Sequence, residues 1–239
     1  MDIIIAAAGK GTRLRGWQPD IPKHIIPIAG RPFLYYLLDA VVAAQFHRII
    51  VVGGYHFEKL QQAIDQYHSE ATIIMVNQFT TLGEQNYGTA CPLLAAKTLI
   101  QGDRFVYTMG DQLLATEDLQ TMQMSTREML LATYEHAEPQ RFGVVEVTAD
   151  HLVRRIIEKP SQPSSQLVNV GLYTLTKAIF PILQQLPSSR RGEFEITDAL
   201  NQLAEHQPIQ AVPLQGQWLD LGRPEDILAL EQFLTTAQL

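Results

Sequence analysis

Short apolar runs alternate with longer stretches of helical periodicity in the first half of the chain. The runs are rich in Ile and Val, and they predict buried strands at residues 3–5, 47–52, 72–76 and 104–109. Apolar positions at helical spacing predict helices at residues 33–44, 58–67 and 92–99. This alternation predicts βαβ units, and so an α/β fold of three layers with a mostly parallel sheet in the middle.

The second half has a different pattern. Strand-like runs follow one another with no helical pattern between them, at residues 129–134, 142–147, 152–157 and 168–175. Then come predicted helices at 177–186 and 196–205, a short strand at 209–214 and a final helix at 224–234. The sheet is therefore expected to be mixed. Because no linker-like segment separates the halves, a single domain spanning residues 1–239 is expected.

The segment after the first strand reads Ala-Ala-Ala-Gly-Lys-Gly-Thr-Arg over residues 6–13. Its small side chains allow a ligand to lie against the backbone, whose N–H groups can point at phosphate oxygens. Arg13 and Lys23 add cations suited to phosphate. The loop alone fits an ordinary strand-to-helix turn equally well. Lys23 favours phosphate binding, because Pro22 and Pro27 fix the path of the segment that carries its charge.

Two common phosphate-binding motifs do not fit this loop. A P-loop needs Ser or Thr after its Gly-Lys, whereas here Lys10 is followed by Gly11. The dinucleotide-binding fingerprint needs a third glycine where this chain has Leu14. The chemistry of the loop must therefore be inferred from the residues around it.

The acidic composition limits the partners. A formal net charge of −7 argues against nucleic acid or an anionic membrane as the main partner. No apolar stretch is long enough to form a transmembrane helix. Cys91 is the only cysteine, so an intramolecular disulfide is impossible, and its apolar neighbours predict a core position rather than a catalytic thiol. With no signal-like N-terminus, a cytoplasmic protein is expected.

Two segments resemble the signature of a known enzyme family. Residues 7–14 read Ala-Ala-Gly-Lys-Gly-Thr-Arg-Leu, and residues 22–33 read Pro-Lys-His-Ile-Ile-Pro-Ile-Ala-Gly-Arg-Pro-Phe. Together they resemble the sugar-1-phosphate nucleotidylyltransferases, which make nucleotide-diphosphate sugars from a nucleoside triphosphate and a sugar 1-phosphate. Ala6 stands where that family usually has leucine. The glucose-1-phosphate thymidylyl- and uridylyltransferases are the most similar branch.

The resemblance covers nearly the full length and implies a Rossmann-like, GT-A-like sheet. Residues 1–115 would form the nucleotide-binding half and residues 116–239 the sugar-phosphate-binding half. The implied nucleotide-binding residues of the first half include Ala7, Ala8, Gly9, Gly11, Thr12, Arg13 and Lys23. Because no hexapeptide repeat is present, the β-helix arm of some relatives is not expected. A homo-oligomer is possible, since relatives are often oligomers, but no residue here marks an interface.

Two aspartates are implied metal ligands. Asp111 follows an apolar strand and a glycine, and Asp220 lies in Trp-Leu-Asp-Leu-Gly at residues 218–222. Each alone would be interpreted as a turn or cap aspartate. As a pair they match the Gly-Asp and Trp-x-Asp-x-Gly motifs with which the family binds Mg²⁺, a cation that takes few carboxylates. Only the fold can show whether they converge.

Three further matches to the family imply residues that bind the sugar phosphate. Glu158 and Lys159 resemble an element in which the lysine grips the phosphate and the glutamate accepts from sugar hydroxyls. Asn169 and Gly171 resemble the next sugar contact, and Gly143 resembles a glycine that lets the sugar approach the backbone. The alternatives at these three places are a charge pair at a strand end, an ordinary inward polar group and a β-bulge.

The segment Gly-Glu-Phe-Glu-Ile-Thr-Asp at residues 192–198 resembles a supporting marker of the family. In it, Thr197 or Asp198 is expected to cap a helix. The catalytic residues that the resemblance implies are Arg13, Lys23, Asp111, Lys159 and Asp220.

The base is the most open point. Residues 85–90, Gln-Asn-Tyr-Gly-Thr-Ala, resemble the turn that borders the base in uridylyl- and thymidylyltransferases, which implies contacts from Gly88 and Thr89. The family has a glutamine before this turn, and both Gln78 and Gln85 are candidates. UTP or dTTP is favoured on this match. A mannose- or heptose-1-phosphate guanylyltransferase, a phosphocholine cytidylyltransferase and an inactive nucleotide-sensing subunit stay open.

Overall fold

A mixed β-sheet with helices on both faces forms the frame of the molecule. The computed structural model describes residues 1–11, 14, 20–189 and 191–236. Within these ranges the strands are β1 (Asp2–Ala7), β2 (Pro27–Ile28), β3 (Arg31–Pro32), β4 (Arg48–Gly53), β5 (Thr72–Asn77), β6 (Arg104–Met109), β7 (Gln112–Leu113), β8 (Leu130–Glu135), β9 (Gly143–Val147), β10 (Val153–Glu158), β11 (Leu167–Thr176), β12 (Gln210–Pro213) and β13 (Leu219–Asp220). The helices are α1 (Phe33–Ala43), α2 (Phe57–Asp65), α3 (Gln78–Leu82), α4 (Cys91–Ala96), α5 (Thr116–Met124), α6 (Ile179–Gln185), α7 (Ile196–Ala204) and α8 (Pro224–Thr236).

The strand order of the main sheet is β10-β9-β11-β6-β1-β4-β5, with β8 beside β11 and β12 beside β8. Strands β6, β1, β4 and β5 run parallel, whereas β11 runs antiparallel to β6, β8 and β9. The predicted α/β fold with a mixed sheet is confirmed. Parallel pairing follows the helix-containing crossovers of the first half, and antiparallel pairing follows the strand-after-strand pattern of the second.

Strand β1 lies inside the sheet and is buried on both faces. Ile3 and Ile5 pack in the apolar cluster that also holds residues of α1 and α5. Ile4 and Ala6 face the opposite way and pack with residues of α4 and α7. Burial on both faces explains why β1 is a continuous apolar run rather than an alternating one.

Some helices and strands of the structure were not predicted from the sequence pattern. Helices α3 and α5 were not expected, because their sequences carry few apolar residues at helical spacing. The two-stranded pairing of β7 with β13 was not expected either, since two residues carry no periodicity. This small sheet is the one that matters most for the site.

The expected cap of α7 is wrong. The helix begins at Ile196, so Thr197 and Asp198 lie inside its first turn. The hydroxyl of Thr197 donates to Glu158 Oε1 at 3.0 Å instead. The backbone N–H of Ile196 donates to Thr89 Oγ1 at 2.9 Å, so a hydroxyl from a distant segment caps the helix.

Among the described helices, none combines the length and apolar character needed to cross a bilayer.

One side chain of α7 completes an edge of the main sheet. Asn201 Oδ1 accepts from the N–H of Ile156 at 2.8 Å, and its Nδ2 donates to the carbonyl of Ile156 at 2.9 Å. The amide therefore takes the place of a neighbouring strand beside β10. Strand β10 ends at Glu158, so this contact also holds a candidate site residue.

Replacing Asn201 with Ala should lower the free energy of unfolding by about 1–3 kcal/mol, because the backbone groups of Ile156 lose their partners. The measurement is urea denaturation followed by circular dichroism. The exposed neighbour Gln202 provides the control, and Gln202→Ala should change stability by less than about 0.5 kcal/mol. Equal effects of the two substitutions would show that the Asn201 contact contributes nothing.

Candidate active site

A cleft of about 670 Å³ opens where β1 and β6 end, and residues from both halves of the chain line it. The loop after β1 contributes Ala8 and Gly9, and the turn after β6 contributes Asp111. The carboxyl ends of the parallel strands are the usual ligand position in such sheets. The predicted site residues can therefore be tested for convergence against this one cleft.

The glycine-rich loop lies along the cleft with its small residues exposed to it. Ala8, Gly9 and Gly11 line the cleft, whereas Ala7 faces the opposite side and packs in the core. The reason is strand alternation, which gives neighbouring residues opposite faces. Ala7 is thus not a lining residue, although it was predicted to bind nucleotide. The predicted residues Thr12 and Arg13 lie outside the described residues.

Lys10 ties the loop to the turn that follows residue 86. Its backbone N–H donates to the Tyr87 hydroxyl at 3.3 Å. Its ammonium lies 4.5 Å from the centroid of the Tyr87 ring and 5.3 Å from that of Tyr55. A cation over two aromatic faces is favourable, so the loop is held against the turn that contains Tyr87.

Lys23 and Asp111 form an ion pair in the cleft. Desolvation alone would raise the pKa of Asp111, but Lys23 and His24 outweigh it and hold that pKa below its usual value. Burial, with a smaller contribution from Lys23, lowers the pKa of His24 to about 3, so this imidazole is neutral near pH 7. Lys23 is therefore the cation that balances Asp111 here.

The two predicted metal ligands are brought together by the pairing of β7 with β13. In that register Asp220 lies opposite Gln112, and the N–H of Leu221 donates to the carbonyl of Asp111 at 2.7 Å. Burial, together with the negative charges of Asp226 and Asp111, raises the pKa of Asp220 to about 6. Asp111 and Asp220 are thus close enough to repel each other.

This pair of carboxylates fits a hard divalent cation. Mg²⁺ prefers oxygen ligands and usually takes only one or two carboxylates, with substrate phosphates completing its shell. Within the described residues there is no group of three His, Cys, Asp or Glu that could hold a metal. Two mutually repelling aspartates in the cleft instead fit a cation whose remaining ligands are substrate phosphates and water.

The turn at Gly88 and Thr89 is fixed by the segment before α7. Gly88 has φ +134°, and a Cβ there would lie 2.3 Å from the backbone oxygen of Phe194, so a side chain does not fit. The N–H of Ala90 donates to that same oxygen at 2.9 Å. Thr89 donates to Glu195 at 3.2 Å. The predicted supporting role of residues 192–198 thus has a physical basis.

The structure separates the two candidate glutamines. Gln78 lines the cleft and is 1% exposed, with Nε2 donating to the carbonyl of Asn86 at 2.9 Å. Its Oε1 is buried and has no hydrogen-bond partner among the described residues. Gln85 is not a lining residue, because its amide lies against Gly83. The Oε1 acceptor of Gln78 is therefore not used by any described residue.

The residues predicted to bind the sugar phosphate also meet in this cleft. Gly143, Glu158, Lys159, Asn169 and Gly171 all line it. Gly143 pairs with Glu158 across β9 and β10, and a Cβ at Gly143 would lie 3.1 Å from Glu158 Oε1. The register of this pair is regular, so close approach explains Gly143 better than a bulge does.

Asn169 and Gly171 form the irregular part of β11. The pairing of β11 with β8 shifts register between Asn169 and Tyr173, and Gly171 has φ +85°. Asn169 Oδ1 accepts from the N–H of Gly171 at 3.0 Å, and Nδ2 donates to the Tyr173 hydroxyl at 2.7 Å. The bulge turns Asn169 and Gly171 towards the cleft and holds them there.

Comparison with known proteins gives the family. Residues 2–237 match the family model described as nucleotidyl transferase. The chain belongs to the nucleotidyl transferase family. The resemblance of the two signature segments is thereby confirmed.

The relatives of this nucleotidyl transferase include a GlmU protein and a uridylyltransferase. This chain is 37% identical to the bifunctional protein GlmU of Methanococcus maripaludis. That match of 238 residues covers 96% of this chain and 53% of GlmU. This chain is 34% identical to the UTP–glucose-1-phosphate uridylyltransferase AglF of Haloferax volcanii, over 98% of this chain and 96% of the relative. The chain thus spans about half the length of GlmU and nearly all of AglF.

The fold is shared with solved structures. A UDP-glucose pyrophosphorylase complexed with UDP-glucose superimposes with a TM-score of 0.86 at 24% identity, covering 99% of this chain and 98% of that one. A glucose-1-phosphate thymidylyltransferase from Bacillus anthracis superimposes with a TM-score of 0.84 at 22% identity, covering 98% and 94%. The Rossmann-like architecture expected from the sequence is confirmed.

Several lining residues of this nucleotidyl transferase were missed by the sequence reasoning. They are Lys10, His24, Tyr87, Arg141, Arg191, Glu193 and Arg223. Arg191 directly precedes the marker at residues 192–198, and that position was a signal that could have found it. Its guanidinium Nε donates to Glu195 Oε1 at 3.2 Å, so the cation is aimed by a buried carboxylate. Tyr87 lies inside the segment at residues 85–90, so its position was a signal as well.

Glu158 is an acid held in an unfavourable place. Burial raises its pKa, and the nearby charge of Glu195 raises it further, although the Thr197 hydroxyl partly offsets this. A raised pKa in the folded state means that ionisation costs stability. That cost in stability is absent below the usual pKa of a glutamate, and it grows as the pH rises through the pKa of Glu158 in the folded state.

Glu158→Gln should therefore become more stable relative to the parent as pH rises from 4 to 7, since glutamine does not ionise. The measurement is the difference in free energy of unfolding at the two pH values. Exposed Glu205→Gln is the control, with no comparable trend. A pH-independent difference for Glu158→Gln would contradict the stated cause.

Proposed function

We propose that this chain transfers a nucleotidyl group from a nucleoside triphosphate to a sugar 1-phosphate and releases pyrophosphate. The observation that carries the proposal is convergence. The glycine-rich loop, the paired aspartates and Lys159 come from separate parts of the chain and line one cleft. The names of the relatives support the same reaction, because AglF is a uridylyltransferase for glucose 1-phosphate.

The reaction needs charge neutralisation and alignment more than covalent chemistry. An oxygen of the sugar phosphate attacks the α-phosphorus, and the bond to the pyrophosphate oxygen breaks as the new P–O bond forms. The attacking phosphate is already ionised near neutral pH, so the chain need not supply a general base. Its residues instead hold two anionic reactants in line.

Different cationic residues would bind the triphosphate and the phosphate of the acceptor sugar. The loop around Gly9 would present backbone N–H groups to the triphosphate, with Lys23 beside it and Arg13 as a further predicted contact. Lys159 would hold the acceptor phosphate. Asp111 and Asp220 would hold Mg²⁺, which when bound neutralises charge on the phosphates. Cys91 takes no part, because burial raises the pKa of its thiol to about 12.

The acceptor side would recognise hydroxyl groups. Glu158 offers carboxylate oxygens, and the Asn169–Gly171 bulge offers an amide and backbone groups. Gly143 leaves space for a sugar ring to lie against β9. We assign residues 1–115 to nucleotide binding and residues 116–239 to sugar-phosphate binding on this division of contacts. A cytoplasmic location and a homo-oligomer stay predictions.

Gln78 supports a base with an N–H at position 3. Its Nε2 is committed to the carbonyl of Asn86, so the group left for the base is the Oε1 acceptor. Uracil and thymine carry a donor at N3, whereas cytosine carries an acceptor there. UTP or dTTP is therefore favoured over CTP, and Gly88 and Thr89 would border the same base.

The test of the function is pyrophosphate release with Mg²⁺, with common nucleoside triphosphates scanned against glucose, N-acetylglucosamine, mannose and heptose 1-phosphates. Phosphocholine is the control acceptor. We expect one strong pair that contains UTP or dTTP. Turnover with GTP or with phosphocholine would move the assignment to the guanylyl- or cytidylyltransferases. Nucleotide binding without turnover on any acceptor would favour a sensor.

Gln78→Met should lower kcat/KM for UTP by about 10- to 100-fold, because the methionine cannot accept from N3. Discrimination between UTP and CTP should narrow at the same time. Gln85→Met is the matched control, since this glutamine lies outside the cleft, and it should behave as the parent. Loss of discrimination in Gln85→Met with none in Gln78→Met would reverse the assignment.

A further inference from the structure

Gln112 is a buried glutamine whose side chain makes three hydrogen bonds. Its Oε1 accepts from Trp218 Nε1 at 2.9 Å, and its Nε2 donates to Thr108 Oγ1 at 2.7 Å and to the carbonyl of Gly171 at 3.2 Å. The residue is 2% exposed and does not line the cleft. Its amide therefore joins three segments without touching a ligand.

The polarity of this amide is fixed by its partners. The indole N–H of Trp218 can only donate, and the carbonyl of Gly171 can only accept. Reversing the amide would break both contacts at once. A buried, fully satisfied polar group of this kind specifies one arrangement of the segments that it joins.

Each partner lies next to a part of the site. Thr108 belongs to β6, which leads into Asp111, and Trp218 lies two residues before Asp220. Gly171 belongs to the bulge on the acceptor side. Across the pairing of β7 with β13, Asp220 is directly opposite Gln112 itself.

Other hydrogen bonds hold the chain before Asp220 but do not reach the bulge of β11. Asp118 accepts from the N–H groups of Gln215 and Gly216 at 2.8 and 3.0 Å. The ring of Trp218 packs against Phe142, with centroids 5.1 Å apart. Among the described residues, Gln112 is the side chain seen to bond both the segment of Asp220 and the bulge of β11.

We propose that Gln112 is a positioning residue that sets Asp220 and the Gly171 bulge in register with Asp111. One amide would thus fix the metal site and the acceptor side of the cleft together. The inference rests on the proposed function, because it takes Asp111 and Asp220 as the metal site.

The test uses Gln112→Met, which keeps the length and volume of the side chain, and Trp218→Phe, which removes the indole N–H. Binding of Mn²⁺, standing in for Mg²⁺, is measured by electron paramagnetic resonance with an unreactive α,β-methylene analogue of UTP. Each variant should bind Mn²⁺ roughly 5- to 20-fold more weakly. The double variant should be no weaker than Gln112→Met alone, because one contact is removed by either change.

A second readout separates the two substitutions. Gln112→Met also frees the carbonyl of Gly171, so it should raise KM for the sugar phosphate roughly tenfold. Trp218→Phe leaves that contact in place and should leave this KM near the parent value. A purely structural role would not produce this difference between the variants.

Thr174→Val is the matched control for the loss of a buried hydrogen bond. The Thr174 hydroxyl donates to the carbonyl of Met122 at 2.6 Å, away from the cleft. This variant should lower the unfolding temperature and bind Mn²⁺ as the parent does. If Gln112→Met and Trp218→Phe likewise lower only the unfolding temperature and bind Mn²⁺ as the parent does, the inference is overturned.

Asp220→Asn distinguishes failure of the inference from failure of the proposed function. We expect it to lose Mn²⁺ binding. Unchanged binding in Asp220→Asn would overturn the metal site and the inference with it, whereas loss there with parental binding in both other variants would overturn the inference alone. If Gln112→Met does not fold, Trp218→Phe decides by the same comparison.

Discussion

The pairing of β7 with β13 is the constraint on which the site depends. Two residues from the middle of the chain meet two residues from near its end, and the contact places Asp220 beside Asp111. The arrangement has an electrostatic cost, because two carboxylates in a desolvated cleft raise the pKa of Asp220 to about 6. Lys23 offsets part of that cost at Asp111. A divalent cation brought by a triphosphate would offset the rest.

The local charge of the cleft would let an acidic chain bind two anions. The net charge of −7 is a property of the whole surface, whereas the cleft collects Lys10, Lys23, Lys159 and Arg191. Lys10, Lys23 and Arg191 are placed by specific contacts, namely the aromatic faces around Lys10, Asp111 beside Lys23 and the buried Glu195 beside Arg191. Local arrangement therefore decides the binding, as expected when the reaction needs alignment of phosphates.

Much of the fold and part of the site could be predicted from sequence, and the limit is physical. Strand β1 was predictable because burial on both faces demands an apolar run. Gly143 was predictable as a place of close approach, because a glycine inside a strand otherwise costs stability. Convergence of Asp111 with Asp220 was not, because a two-residue pairing leaves no periodic pattern. Gln112 and Asp118 were missed for a related reason, since a buried polar residue looks like any other until its partners are known.

The sequence also misassigned roles that depend on contacts between distant segments. Thr197 was expected to cap α7, yet Thr89 provides that cap and Thr197 serves Glu158. Ala7, and Gln85 as one of two candidate glutamines, were predicted to bind nucleotide, but neither lines the cleft. In each case the local pattern identified the segment, and the tertiary contacts selected the residue.

The proposed reaction is a single displacement, in which the chain aligns the reactants and forms no covalent bond to the nucleotide. It is tested most directly by exchange of radioactive pyrophosphate into UTP, measured with Mg²⁺ and with or without the sugar 1-phosphate or its nucleotide-sugar product. We expect exchange that depends on the presence of the sugar compound, because the α-phosphorus has no acceptor on the protein. Exchange of equal rate in its absence would show a nucleotidyl-enzyme intermediate and contradict the account.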